Sequence, residues 1–337
     1  MKNFTFADRL MSRCAVLVLG ACLALPGAAQ DAGDAIEIVR QGIPHDALFA
    51  LEMSGEWGLA VGAFGLMLET NDGGNSWNLI APKTPAALLG VDKAGDRQII
   101  VGQGGLVMTR DGDADWTVVD TPFEQRLLNV ALAESGRAVA IGEFGFIALS
   151  DDAGATWRTV TPNWEDYNED GYEPHLYDAE IQADGTMLIA GEFGLVLRST
   201  DNGETWPAVA SGDQSVFDMH FARDGSNTAY AVGQEGLVLR SNDSGGSWAR
   251  IDVGTSANLL GVWSGNGEVV ISGIREMLRS SDDGASFTKT EDIKIIRHWF
   301  QGIAAGVAET KSGDEGFLRA QNVYVVGHKA TIGRVTQ

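Results

Sequence analysis

The chain has 337 residues but only two cysteines, Cys14 and Cys22, and both lie near its start. Residues 1–29 carry Lys2, Arg9 and Arg13, then the apolar run Cys14 to Leu25, then Pro26-Gly27-Ala28-Ala29. A basic start, an apolar stretch too short to span a bilayer and a small-residue end read as an export signal, with cleavage expected after Ala29. The mature chain, residues 30–337, then has no thiol, which excludes disulfides, thiol catalysis and a cysteine metal centre. A rival reading takes Leu19-Gly20-Ala21-Cys22 as a lipobox, which would leave Cys22 lipidated. Positive charge is also scarce. Lys and Arg number 24 against 46 Asp and Glu, a formal net charge of −22, which argues against nucleic acid or an anionic lipid surface as partner. No apolar run of 18 residues follows the signal, so no membrane-spanning helix is predicted. The five histidines, His45, His175, His220, His298 and His328, show no metal-ligand spacing, and neither H-E-x-x-H nor G-x-S-x-G occurs. The expected setting is the periplasm or the medium.

What the chain has in abundance is one phrase. Ser199 to Trp206 reads STDNGETW, and Thr70 to Trp77, Ser150 to Trp157 and Ser241 to Trp248 repeat its S-x-D-x-G-x-T-W pattern. Ser280 to Phe287 ends in Phe, and Thr109 to Trp116 has Asp113 where the others have Gly. Upstream of each copy sits a short anchor, Val61-Gly62, Val101-Gly102, Ile141-Gly142, Ala190-Gly191, Val232-Gly233 and Ser272-Gly273, and a seventh anchor, Val326-Gly327, has no copy after it. The anchors are 40, 40, 49, 42, 40 and 54 residues apart, a period that marks a repeat architecture. Short apolar runs flank each phrase, such as Leu195-Val196-Leu197 before it and Trp157-Arg158-Thr159-Val160 after it, so the phrase is predicted to be a hairpin turn. Asp folds back on its own backbone there, Gly supplies positive φ, and the aromatic residue packs beneath. A structural role is therefore assigned to Asp72, Asp111, Asp152, Asp201, Asp243 and Asp282, since an active site needs one copy and not six.

Each repeat reads as four strands; in the second these are 88–91, 98–102, 106–109 and 116–119. Four-stranded units of about 40 residues, arranged radially, make a β-propeller. The last repeat lacks a fourth strand, and residues 35–40 have no partner of their own. The prediction is an all-β, seven-bladed propeller forming one domain, closed by the N-terminal strand completing the last blade.

Departures from the repeat are where binding is expected. The stretch 163–178 is extra, and Asp166, Asn168, Asp170 and Gly171 match the opening of a calcium loop; the twelfth position is Tyr177 where Glu is required. Calcium is one reading of this stretch, and an acidic, aromatic binding lip with Trp164, Tyr167 and Tyr172 is the other. Residues 306–321 read as a flexible solvent loop. Arg198, Arg240 and Arg279 hold the same place in three successive repeats and could grip a partner carboxylate or pair with a neighbouring blade. Phe64, Phe144 and Phe193 are predicted at equivalent hairpin tips, packed into core or rim.

The phrase S-x-D-x-G-x-T-W is the Asp-box, or bacterial neuraminidase repeat. In its fuller form, V-G-x-x-G-L-[VM]-L-x-[ST]-x-D-x-G-x-[ST]-W, the chain resembles the photosystem II assembly and stability factor propellers over about residues 36–335. The resemblance implies a non-enzymatic scaffold, without cofactor and monomeric on its own, that holds a membrane-protein complex or its periplasmic portion through a basic patch. Arg198, Arg240 and Arg279 are the residues offered for that patch. No catalytic residues are assigned. The alternatives are a sugar-binding propeller using Trp164 and Trp263 as exposed stacking platforms, and a sialidase-like glycoside hydrolase, whose early F-R-I-P-like motif is only loosely echoed by Val39 to Pro44.

Overall fold

A computed structural model of the chain describes residues 34–336 except 169 and 312–316. The export signal and its two processing routes lie outside the described residues. Within them, every Val-Gly type anchor closes the second strand of a four-stranded antiparallel sheet, and there are seven such sheets. In blade 1 the strands are Leu48–Ser54, Trp57–Gly62, Met67–Thr70 and Asn78–Ile80, paired in sequence order from the axis outward. Blades 2 to 6 repeat this over 88–119, 127–160, 176–210, 216–250 and 259–289.

The anchor has to be glycine for a steric reason. The innermost strand of each blade carries an irregularity after its first residue, between Leu48 and Ala50 in blade 1. This swings the preceding carbonyl towards the anchor, so a Cβ on Gly62 would stand 1.9 Å from the Ala47 oxygen. The same clash, at 1.9–2.5 Å, recurs at all six other anchors. The second strands are sandwiched between neighbouring blades, and Leu59, Ala60 and Val61 are fully buried. That two-sided burial is why these strands read as continuous apolar runs.

Blade 7 is assembled from both ends of the chain. Its order is Ile36–Arg40, Ile332–Val335, Phe317–Gly327, Phe300–Lys311, from the rim to the axis. Ile36 pairs with Val335 and Glu37 with Arg334, antiparallel, as the unpartnered N-terminal segment required. Ile36 is fully buried in a cluster with Trp263, Ile295, Phe300 and Val325. The segment is also pinned to the link between blades 6 and 7: Ala35 N donates to Asp292 Oδ2 at 2.7 Å and Lys294 Nζ to the Ile36 carbonyl at 3.1 Å.

One expectation fails here. Residues 306–311 and 317–321 are not a free loop outside the sheet: the blade 7 hairpin runs on in register from Gly306–Asn322 to Lys311–Phe317, and the rest of the expected loop lies outside the described residues. Gly306 and the charged residues after it suggested a loop, but ladder hydrogen bonds need no apolar side chains where a hairpin extends beyond the ring. Val307 N also donates to the Gly55 carbonyl of blade 1, at 2.9 Å.

Ile36→Ala should cost about 2–5 kcal/mol of unfolding free energy. Ile43→Ala, at a 61% exposed position, should stay within about 0.5 kcal/mol. Urea unfolding of the two variants measures both, and an Ile36 variant that unfolds like the parent would show that the closing strand does not hold the ring.

Candidate functional site

The boxes are joints between blades. In the first, Thr70 Oγ1 donates to Asp72 Oδ1 at 2.7 Å and accepts from Gly74 N at 3.0 Å. Asp72 also accepts from Ser76 N and Ser76 Oγ, at 2.9 and 2.6 Å. The same network recurs around Asp152, Asp201, Asp243 and Asp282. Hydrogen bonds from Thr205 and Ser199 hold the exposed Asp201 carboxyl down at about 2. The frozen turn presents its left-handed glycine to the preceding blade. A Cβ on Gly74 would stand 2.5 Å from the Tyr324 ring, and one on Gly284 2.5 Å from Tyr230 Oη. The hydroxyls of these tyrosines donate to the Gly73 and Asp283 carbonyls of the neighbouring boxes, each at 2.8 Å.

The second box, around Asp111, makes a different joint. Arg110 pairs there with Glu69 of blade 1, bonds Gln98 Oε1 at 2.8 Å and lies 4.7 Å over the Trp116 ring. The arginines of the sequence stripe face blade boundaries in a related way. Arg240 Nη2 lies 2.5 Å from Asp283 of the next box, and Arg279 donates to the Thr336 carbonyl. Arg198 differs because Ser244 stands where blade 6 has Asp283. Its Nε, like that of Arg240, is buried with no hydrogen-bond partner among the described residues.

The boxes share one face of the ring with the turns between first and second strands, as Gly73 N donating to the Glu56 carbonyl shows. The Gly-x-Phe-Gly turns and the links between blades occupy the other, the turn face, where Ala63 N bonds the Ala47 carbonyl. Each turn there has its tip residue at positive φ, at Phe64, Gly104, Phe144, Phe193, Glu235, Arg275 and Lys329, with φ from 52° to 69°, and in all but the Arg275 turn the next residue is left-handed too. Phe64, Phe144 and Phe193 do sit at equivalent tips, but they are 73%, 63% and 39% exposed and pack into no core. A left-handed tip points its side chain away from the sheet it joins.

The long stretch 163–178 lies on this face and folds over the Phe144 turn, with Gly145 N donating to the Pro174 carbonyl at 2.7 Å. Asn168 organises it, accepting from Tyr172 N at 2.7 Å and donating to the Tyr172 carbonyl at 2.9 Å. Asp166 accepts from Asn163 Nδ2 at 3.2 Å, and Asp170 is exposed. Among the described residues no group of three His, Cys, Asp or Glu side chains is placed to hold a metal ion. Tyr167 donates to the Trp206 carbonyl at 2.7 Å, and Tyr172 is 63% exposed. Trp164 and Trp263, expected as exposed stacking platforms, are each 5% exposed. Trp164 fills the space over Gly145, where a Cβ would meet its ring at 2.5 Å, and Trp263 packs with Ile36 and Phe300.

The axis holds what the sequence reading missed. The first strands line a channel of about 300 Å³. Phe49, Leu89, Leu128, Tyr177, Phe217, Leu260 and Gln301, one from each blade, collar its turn-face mouth; Glu52, Asp92, Asp178, Glu180, Asp218 and His220 lie deeper. Several of these acids latch one blade to the next. Asp92 accepts from Leu132 N at 2.6 Å, Asp178 from Met219 N at 2.8 Å and Asn129 Nδ2 at 2.6 Å, and Asp218 from Val262 N at 2.7 Å. Asp178 is buried, and Glu52, Asp92, Glu180 and Asp218 are half-buried against the channel. Burial pushes Asp92 up to about 6, Glu180 to about 7 and Asp218 to about 8. Burial also raises Glu52, with Asp92 adding repulsion, and Asp178, with Asp218 adding repulsion. His220 is driven down to about 3 by burial and then by Arg223, which keeps its ring neutral. Its Nδ1 accordingly accepts from Ser264 N at 3.2 Å. Arg223 is itself raised, first by Glu180.

Ring, boxes and channel together define the class: a seven-bladed Asp-box β-propeller. Within that class the chain is similar to the photosystem II assembly factors. The family described as "Photosynthesis system II assembly factor YCF48" matches residues 26–159. The "Photosystem II assembly lipoprotein Ycf48" of Synechococcus sp. (strain CC9902) is 32% identical in a 158-residue alignment that covers 42% of this chain and 46% of that protein. Two solved structures share the fold at a TM-score of 0.67. "YCF48 bound to D1 peptide" is 18% identical over 90% of this chain and 97% of that one, and "YCF48 from Cyanidioschyzon merolae" is 19% identical over 89% and 98%. A WD40 propeller domain of Doa1 reaches 0.63 at 10% identity, over 90% and 97%, so the structural likeness carries the ring and not a role.

The channel acids bind protons more tightly folded than unfolded. Their contribution is complete below about pH 4 and is lost as pH rises through about 6 to 8. The depressed box aspartates act oppositely and lose their contribution as pH falls from about 4 towards 2. Melting temperature should therefore peak near pH 4–6 and fall towards pH 8.5. Asp218→Asn retains an acceptor for Val262 N and should melt at least about 2 °C above the parent at pH 8.5. Calorimetry across pH checks both statements.

Proposed function

We propose that the protein is an exported, non-catalytic scaffold that holds a segment of a membrane-protein subunit while its complex is assembled. The observation that carries this reading is the family match across the signal-proximal segment and the first three blades, residues 26–159. It is supported by the relative named an assembly lipoprotein and by the fold shared with a YCF48 bound to a D1 peptide. The same relative's name favours retention at a membrane surface, through Cys22 or through the partner; no helix among the described residues is long and apolar enough to cross a bilayer.

The grip on a partner's carboxylates is assigned to cations that are not committed to joints. Arg240 and Arg279 serve joints, so a partner would compete with the ring for them. Arg198 faces Ser244 where Arg240 faces Asp283. On the turn face, exposed Arg275 and Arg297 flank His298, whose ring lies 5.1 Å from that of His328. Trp299 and Phe49, stacked at 6.3 Å, continue from there to the channel mouth. A guanidinium pair beside an aromatic path suits an extended segment carrying a carboxylate.

Affinity capture from detergent-solubilised envelopes tests this. A membrane-protein subunit should co-purify with the parent and be lost from Arg275→Glu/Arg297→Glu; retention by that variant and loss from Arg198→Glu would move the grip to blade 4. Capture of no subunit by the parent would remove the scaffold reading. Intact mass of the exported protein separates a start at Gln30 from a lipidated Cys22.

A further inference from the structure

The turn face of blades 3 to 5 carries a second surface of opposite character. Four aromatic rings run inward from the rim: Phe144 to His175 at 4.9 Å, His175 to Tyr177 at 6.4 Å, and Tyr177 to Phe217 at 5.3 Å. Tyr177 and Phe217 belong to the channel collar, so the path reaches the axis. Its outer end is Phe144, 63% exposed on a left-handed turn. Blade 2 makes the same turn with Gly104 at φ 69°. The turn therefore does not require an aromatic residue there, and a bulky side chain is the less comfortable choice.

The charge around this path has one sign. From Thr159 to Leu197 the chain contains no Lys or Arg. Glu165, Asp166, Asp170 and Glu173 are exposed on the stretch folded over the Phe144 turn. Glu192 stands inside the path: Oε2 accepts from His175 N at 2.9 Å, and Oε1 lies 3.4 Å from Tyr177 Oη. Arg126, whose carbonyl accepts from Glu143 N at 3.2 Å in the Phe144 turn, has its guanidinium paired with Glu143 at 2.8 Å. Aromatic faces bordered by carboxylates attract ammonium and guanidinium groups while their rings cover the aliphatic stems behind them.

We propose that this sector is a docking surface for an extended peptide segment that alternates lysine or arginine with apolar side chains. It does not depend on the assembly reading, and it is distinct from the basic sector around Arg275. A segment lying on it would place cations against Glu192 and the acidic stretch, and apolar side chains along Phe144, Tyr177 and Phe217.

The probe is a labelled ten-residue peptide alternating lysine and leucine, followed by fluorescence anisotropy at 0.15 M salt, with a glutamate–leucine peptide as comparison. Phe144→Gly/Phe193→Gly changes no charge and uses the residue that already serves blade 2, so its melting temperature should match the parent's. Its affinity for the lysine peptide should fall at least about ten-fold. Phe64→Gly, on the blade 1 tip outside this sector, should bind as the parent does. Equal binding by parent and double variant would reduce the interaction to the protein's overall negative charge and overturn the proposal. So would equal binding of the two peptides, or an equal loss in Phe64→Gly.

Discussion

Everything in this molecule hangs on a glycine with no room for a Cβ. The box turn puts it at positive φ, and the Ser or Thr and Asp hydroxyl and carboxylate contacts hold it there. The neighbouring blade fills the space a side chain would need, with Tyr324 against Gly74, Leu149 against Gly203 and Leu188 against Gly245. The box is thus a local fold with a non-local purpose. It converts four hydrogen bonds inside eight residues into a fixed separation between two sheets, which the dispersion contacts of fully buried second strands then exploit. Where the network is absent, at Asp111, the buried Arg110–Glu69 pair takes over the joint.

The axis obeys a different economy. Seven first strands converge there, and main-chain N–H groups facing the channel need acceptors. Asp92, Asp178 and Asp218 supply them across blade boundaries. Carboxylates so enclosed are poorly solvated, and their protons are correspondingly hard to remove. The acids that knit the ring at its centre therefore oppose the acids that knit it at its boxes when pH changes. Both sets serve cohesion, whereas the turn face carries two aromatic paths bordered by charges of opposite sign.

The period and the box made the ring, the blade count and the closure legible, because a turn phrase repeated in register dictates where strands begin and end. The unpaired segment at Ile36 found its partner by elimination. The channel was harder to read. Glu52, Asp92, Glu180 and His220 each stand four residues after the buried Leu or Val that opens a first strand, a recurrence visible in the sequence but masked by the apolar residues between. The bulge after the first residue also shifts the alternation, so that polar residues on a short apolar strand do not show which way they face. Trp164 and Trp263 misled for a related reason: in a ring, a large aromatic beside a glycine serves as filling. The blade 7 hairpin outran its repeat, and composition alone does not distinguish a ladder extended beyond the ring from a loop.

Closure through Ile36–Arg40 has a kinetic side. Its partner strand, Ile332–Val335, lies nearly three hundred residues away along the chain. A chain emerging from its N-terminus carries a strand that stays single until almost the last residue has appeared, while blades 1 to 6 complete themselves from local hairpins. Contacts of such separation form late and slowly. Until they form, the buried face of Ile36 and the outer edge of Ile332–Val335 remain open to other chains. The strand that locks the finished ring is for that interval its most vulnerable edge.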